Sequence, residues 1–173
     1  MIKIQSQNQL LLRTLNDYFD ANAISLRGIS MNLYTVDIKC NDQSLTVMID
    51  DIKKTFTLPL DINSLTSYLS EKIKNLFFLV KGYEYFPYKS LLIKNNKKSY
   101  LTDIQNIIFY NLFFSKSGID KQVLYQIIWD KDKDIYINKL DTHLTNLKTQ
   151  LMKEIGLNIN FQSNNKILQL LIY

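Results

Sequence analysis

One cysteine, Cys40, stands in 173 residues, so the chain can form neither an internal disulfide nor a cysteine zinc cluster. The single histidine, His143, offers no histidine metal site. Four glycines, at 28, 82, 118 and 156, lie far apart, so there is no glycine-rich loop to cradle a phosphate. No arginine follows Arg27. No apolar run approaches the roughly 20 residues that a membrane helix requires. The opening "MIKIQSQNQLLLRTL" is too short in apolar residues for a secretory signal and leads into Arg13 and Asp17. These absences predict a soluble, cytoplasmic protein of a reducing compartment, without membrane, metal or cofactor, and without the residue clusters of an enzyme.

What is present is enough to fold. Hydrophobic residues make up 46% and aromatics 12%, which allows a sizeable core. The net charge of +5 is unevenly placed. Residues 1–75 carry eight basic and eight acidic groups, whereas residues 76–173 carry thirteen lysines against eight acids. A basic half joined to a neutral half points to an anionic partner for the second half, although a lysine- and asparagine-rich composition runs throughout.

Periodicity divides the chain near Asn75. Before it, "MIKI" alternates as a strand and "NQLLLRTLNDYFDANA" has a helical apolar face. "AISLRGI", "LYTVDIK", "SLTVMID" and "KTFTLPL" read as short strands, and Asp61 caps a helix through Ile62, Leu65, Leu69 and Ile73. After it, "FFLVKGYEYFPYKSLLIKNNKKSY" predicts a small antiparallel sheet broken at Gly82, Pro87 and the "KNNKK" turn. Thr102 and Gln105 form a capping box that opens a helix, with Gly118 as its left-handed stop. Asp120 caps a second helix ending at Trp129. The third, "INKLDTHLTNLKTQL" (137–151), spaces Leu140, Leu144, Leu147 and Leu151 as one buried stripe and is stopped by Gly156. Two strands with an Asn164–Asn165 turn close the chain.

The third helix carries a second face that is polar and short. Thr142, Asn146 and Thr149 lie away from the leucines, with Thr145 beside them and Lys139 and Lys148 flanking. Asparagine pairs with adenine and threonine methyls meet thymine methyls in the major groove, so this face is chemically biased toward A·T pairs. Lys166, at the tip of the final hairpin, is placed to touch phosphate or enter a minor groove, or else sits in a solvated turn. His143 flanks the leucine stripe and is expected to pack the helix. "DKDKDIYINKLD" (130–141) superficially matches a calcium loop, but Ile135 occupies the position that needs glycine.

The segment Leu140-Asp141-Thr142-His143-Leu144, Thr145-Asn146, Leu147-Lys148-Thr149-Gln150-Leu151 resembles the third helix of the effector domain of OmpR/PhoB-type response regulators. That helix typically reads Val-Asp-Val-His-Ile, two basic residues, Leu, a basic cluster and Leu. "LTDIQNIIFYNLFFSKSGIDKQVLYQIIW", ending in Trp129, is similar to the family's first two helices, and "VKGYEYFPYKSLLI" to its leading sheet. The resemblance spans residues 78–173 and implies an α+β fold. Residues 76–173 would form a C-terminal winged helix-turn-helix (antiparallel sheet, three helices, β-hairpin wing) that binds double-stranded DNA. It further implies that the loop between the last two helices contacts RNA polymerase; its charge alternation also suits a plain solvated loop. Asn138, Thr145, Asn146 and Thr149 stand where the family usually has arginine, which weakens phosphate contact.

Residues 1–75 look like a small, truncated receiver-like α/β domain. "FTLPLDINSLTSYL" resembles the receiver's last strand and helix, with Leu58 in the place of the usual lysine. "QSQN" (5–8) replaces the acids that would hold Mg²⁺, so transfer of a phosphoryl group to Asp50 or Asp51 lacks both metal ligands and a cation. The expected protein is a phosphorylation-independent DNA-binding transcriptional regulator. It would be homodimeric through its first half and bind DNA through Asn138, Lys139, Thr142, Thr145, Asn146, Lys148, Thr149 and Lys166. The alternative is a protein-interaction module on the same fold.

Overall fold

In the computed structural model, residues 2–6, 9–21, 36–41, 43–49, 52–129 and 137–173 are described. The expected strand "AISLRGI", the acids Asp50 and Asp51, and the loop at 130–136 with its calcium and polymerase readings lie outside them. The described residues divide into two compact units, with the break between Glu71 and Lys72.

In the first unit, alternation decides which face is core. Val36, Ile38 and Cys40 of β2 (Val36–Cys40) and Leu45, Val47 and Ile49 of β3 (Ser44–Ile49) are buried, while Asp37, Lys39 and Met48 between them are less so. β1 (Ile2–Ser6) runs parallel to β2, and β3 pairs antiparallel with β2 and with the exposed edge strand β4 (Ile52–Thr57). The helix α1 (Gln9–Ala21) lies on β1 and buries Leu15. Asp61 opens α2 (Ile62–Lys74) by accepting the N–H groups of Asn63 and Ser64 at 3.1 and 3.2 Å. The bond from Asn63 is the largest cause holding its carboxyl below the usual range. Leu65 and Leu69 of α2 are buried, as is Ile73 in its last turn, past the break.

In the second unit, β5 (Phe78–Val80), β6 (Tyr83–Phe86), β7 (Leu91–Lys94) and β8 (Lys97–Tyr100) form an antiparallel sheet. Lys81-Gly82 and Asn95-Asn96 make its two-residue turns, all four with positive φ, the backbone whose twist matches a hairpin. The capping box forms as read: Thr102 accepts the Gln105 N–H and Gln105 accepts the Thr102 N–H, opening α3 (Asp103–Phe114). This helix is apolar nearly all round, and Ile107, Ile108, Phe109, Tyr110 and Leu112 are buried. Two further helices, α4 (Lys121–Trp129) and α5 (Ile137–Ile155), pack on it. The strands β10 (Ile159–Asn164) and β11 (Ile167–Ile172) follow.

The expected winged helix-turn-helix behind a receiver-like layer does not describe this arrangement. The described residues hold five α-helices and eleven strands in three sheets, a sheet-rich layout rather than three helices with one sheet. Two local causes account for the difference. In the first unit β1–β2 is the one parallel pair among the described residues, so the repeated parallel crossovers of a receiver do not arise. In the second, β9 (Ile119–Asp120) pairs with β11 and turns the terminal hairpin into a separate three-stranded sheet.

Gly118 explains how β9 gets there. It does not stop α3, which ends at Phe114 with Ser115 as its cap. With φ at +83°, Gly118 lies so close to β11 that a Cβ would meet Gln169 Cγ and Ile167 Cγ2 at 2.6 Å. Gly156 does end α5, with φ at +72° and open space around it. Its N–H bonds the Met152 carbonyl at 3.1 Å. The final turn sits one residue later than expected: Asn164 pairs with Ile167, and Asn165-Lys166 are the left-handed pair. Gly156→Ala should therefore cost about 1–2 kcal/mol, the left-handed penalty alone. Gly118→Ala should cost distinctly more in urea unfolding, and equal losses would contradict the close approach.

Candidate nucleic-acid interface

The α5 helix runs about 28 Å, as 19 residues at 1.5 Å each. Its stripe of Leu140, Leu144, Leu147, Leu151 and Ile155 is at most 5% exposed and packs against α3, β8 and β10. Gln150 seals one flank, bonding the Tyr100 carbonyl at 2.8 Å, the Gln105 amide at 2.9 Å and Glu154 at 3.1 Å. Ser99, fully buried, donates to Glu154 at 2.6 Å. These bonds fix the rotation of the helix, so the opposite face has to point outward.

On that outward face Lys139, Thr142, Thr145, Asn146, Lys148 and Thr149 are all exposed. Exposure does not leave every one of them available. Lys139 holds its ammonium 4.6 Å above the Trp129 ring. The Thr145 hydroxyl turns back to the Asp141 carbonyl at 2.9 Å. Lys148 donates to the Asn160 side chain of β10 at 3.0 Å. Lys166 is exposed in the final turn. The Asn138 side chain lies outside the described ones.

Between α5 and β10 runs a cleft of about 800 Å³. Its rim carries Lys121, Lys148, Lys153 and Asp141, and its apolar lining includes Leu144, Met152, Phe161 and Leu168. Asp141 pairs with Lys121 at 3.4 Å, which leaves Lys148 and Lys153 as the charge excess. Lys121, Lys153, Asn158 and Asn160 were not legible as site residues. Lys121 lies 20 positions from its partner on another helix, so the periodicity of α5 carries no trace of it. Asn158 and Asn160, two apart at the start of the last hairpin, offered the only signal, a polar alternation beside Ile159.

No protein-family model matches the chain, and no curated protein matches its sequence. The site therefore rests on its own chemistry. No helix among the described residues is long and apolar enough to cross a membrane. Among the same residues no group of three or more His, Cys, Asp or Glu side chains is gathered to hold a metal ion.

At the other end of the face, Trp129 is half-buried, with ring centroids 4.4 Å from Tyr125 and 5.7 Å from His143. Burial, and secondarily the Lys139 ammonium, hold the His143 imidazole below its ordinary value. The folded chain thus favours the neutral ring. Above pH 6.5 the histidine is neutral in folded and unfolded chains alike. As the pH falls through that value the unfolded chain takes the proton first, and stability drops. Urea unfolding should show the wild type losing stability relative to His143→Gln as pH falls below about 6.5, and parallel curves would contradict this.

Proposed function

We propose that this chain is a cytoplasmic DNA-binding regulatory protein that works without phosphorylation, holding duplex DNA against the outward face of α5. The observation that carries the reading is the division of α5 itself, with a leucine side that is buried and a threonine–asparagine side that is exposed between Lys139 and Thr149. The lysine excess at the cleft and the likeness of residues 140–151 to the third helix of OmpR/PhoB-type effector domains support the same reading. Two-fold repetition through the first unit would double the contacts, and the exposed edge strand β4, with Ile52 47% exposed, supports a second copy there.

Affinity in this reading is modest, because few cations are uncommitted. Lys153 and Lys166 are uncommitted among the described residues, and Lys148, whose neutral partner Asn160 leaves its charge in place, can exchange that bond for a phosphate; each contact contributes about −0.9 to the log–log salt slope, so three give about −2.7. A fluorescence-polarisation titration should then show roughly 40-fold weaker binding at about 200 mM salt than at about 50 mM. Lys148→Ala should weaken binding to all sequences alike and make the slope shallower by about 0.9.

The rival reading, a module that binds protein, is favoured by the apolar lining of the cleft, where Met152 is 56% exposed beside Phe161. Absent binding at about 50 mM salt, or binding indifferent to Lys148→Ala with Lys153→Ala, would decide for that rival.

A further inference from the structure

Resting on that reading of α5 as a DNA-contacting helix, we propose that the chain reads one adenine–thymine step. Asn146 recognises adenine in the major groove, and Thr149 meets the methyl of the neighbouring thymine.

Most polar groups on the helix are already committed. The ammonium of Lys139 sits on the Trp129 ring, and that of Lys148 is held by Asn160. The Thr145 hydroxyl is spent on its own helix, and Thr142 is engaged as well. Asn146 and Thr149 remain, both exposed and without a hydrogen-bond partner among the described residues. They are three residues apart, so they project from one side of the helix with an axial separation of about 4.5 Å, close to one base-pair rise of about 3.4 Å.

The chemistry of the two side chains selects the bases. A carboxamide offers one acceptor and one donor side by side. Adenine presents the complement in the major groove, an N6–H donor next to the N7 acceptor, and the pair forms two bonds. Guanine presents two acceptors, O6 and N7, so one bond is lost and the Asn146 carbonyl faces an oxygen. The side chain suited to guanine, a guanidinium fork, is absent from the chain after Arg27. Thr149 adds a methyl, which finds an apolar neighbour on thymine and none on cytosine.

The test is a polarisation titration of the full chain at low salt against three duplexes of equal length. One is built of A·T steps, one of G·C pairs alone, and one repeats the first with 7-deaza-adenine, which lacks N7 but leaves the minor groove unchanged. The wild type should prefer the A·T duplex by about 5- to 150-fold, the range of one good bidentate contact. The deaza duplex should fall toward the G·C one. Asn146→Ala should cut the preference to the small part that the Thr149 methyl supplies, and Asn146→Arg should turn it toward guanine. Equal wild-type affinities, a preference undiminished by Asn146→Ala, or indifference to the deaza substitution would each overturn adenine reading with DNA binding intact. Failure of the wild type to bind any of the three duplexes would overturn the DNA reading itself, and adenine reading with it.

Discussion

Burial of the leucine stripe of α5 is the constraint on which the rest of the second unit depends. Four leucines and Ile155 enter the space between α3, β8 and β10, and removing that much apolar surface from water fixes where the helix lies. It also fixes the azimuth of the rod. A helix has one circumference, so whatever is not leucine on α5 is assigned to solvent or to a flank. The threonines and asparagine fall to solvent, and Gln150 falls to the flank, where it meets Tyr100 and Gln105. A polar network on one side and an apolar seam beneath leave no freedom to roll.

Around that rod, local chemistry spends most of the available charge. Lysine is abundant in this half, yet three of the lysines near α5 are already occupied by Trp129, by Asn160 and by Asp141. Such partial commitment separates holding from reading. Cations that are tethered sit at the edges of a polar face on which Asn146 and Thr149 are unspent. A surface of this kind favours recognition by shape and hydrogen-bond pattern over recognition by charge. The lack of arginine is then a coherent feature of the site, since strong phosphate clamps would swamp discrimination by a single amide.

The parts of the structure legible in the sequence are those set by local rules. The box at Thr102 and Gln105, the cap at Asp61, the alternation of β2 and β3, and the leucine stripe each depend on residues within a few positions. The global architecture is not legible there because it depends on pairing between distant residues. Ile119–Asp120 is too short to announce itself as a strand, and it becomes one because Gly118 lets the backbone touch β11. Parallel or antiparallel pairing in the first unit likewise leaves no mark on alternation. Within the site, the helix face was visible by its period, whereas Lys121 and Asn160 were invisible because they arrive from other elements.

Amide chemical-shift mapping of the full chain on addition of an A·T-rich duplex at low salt decides whether α5 is the contact surface. The largest changes should fall on Asn146 and Thr149, including the Asn146 side-chain amide, with smaller ones at Lys148 and Asn160. Shifts concentrated elsewhere, for example on the sheet of β5 to β8, with α5 unmoved, would contradict it.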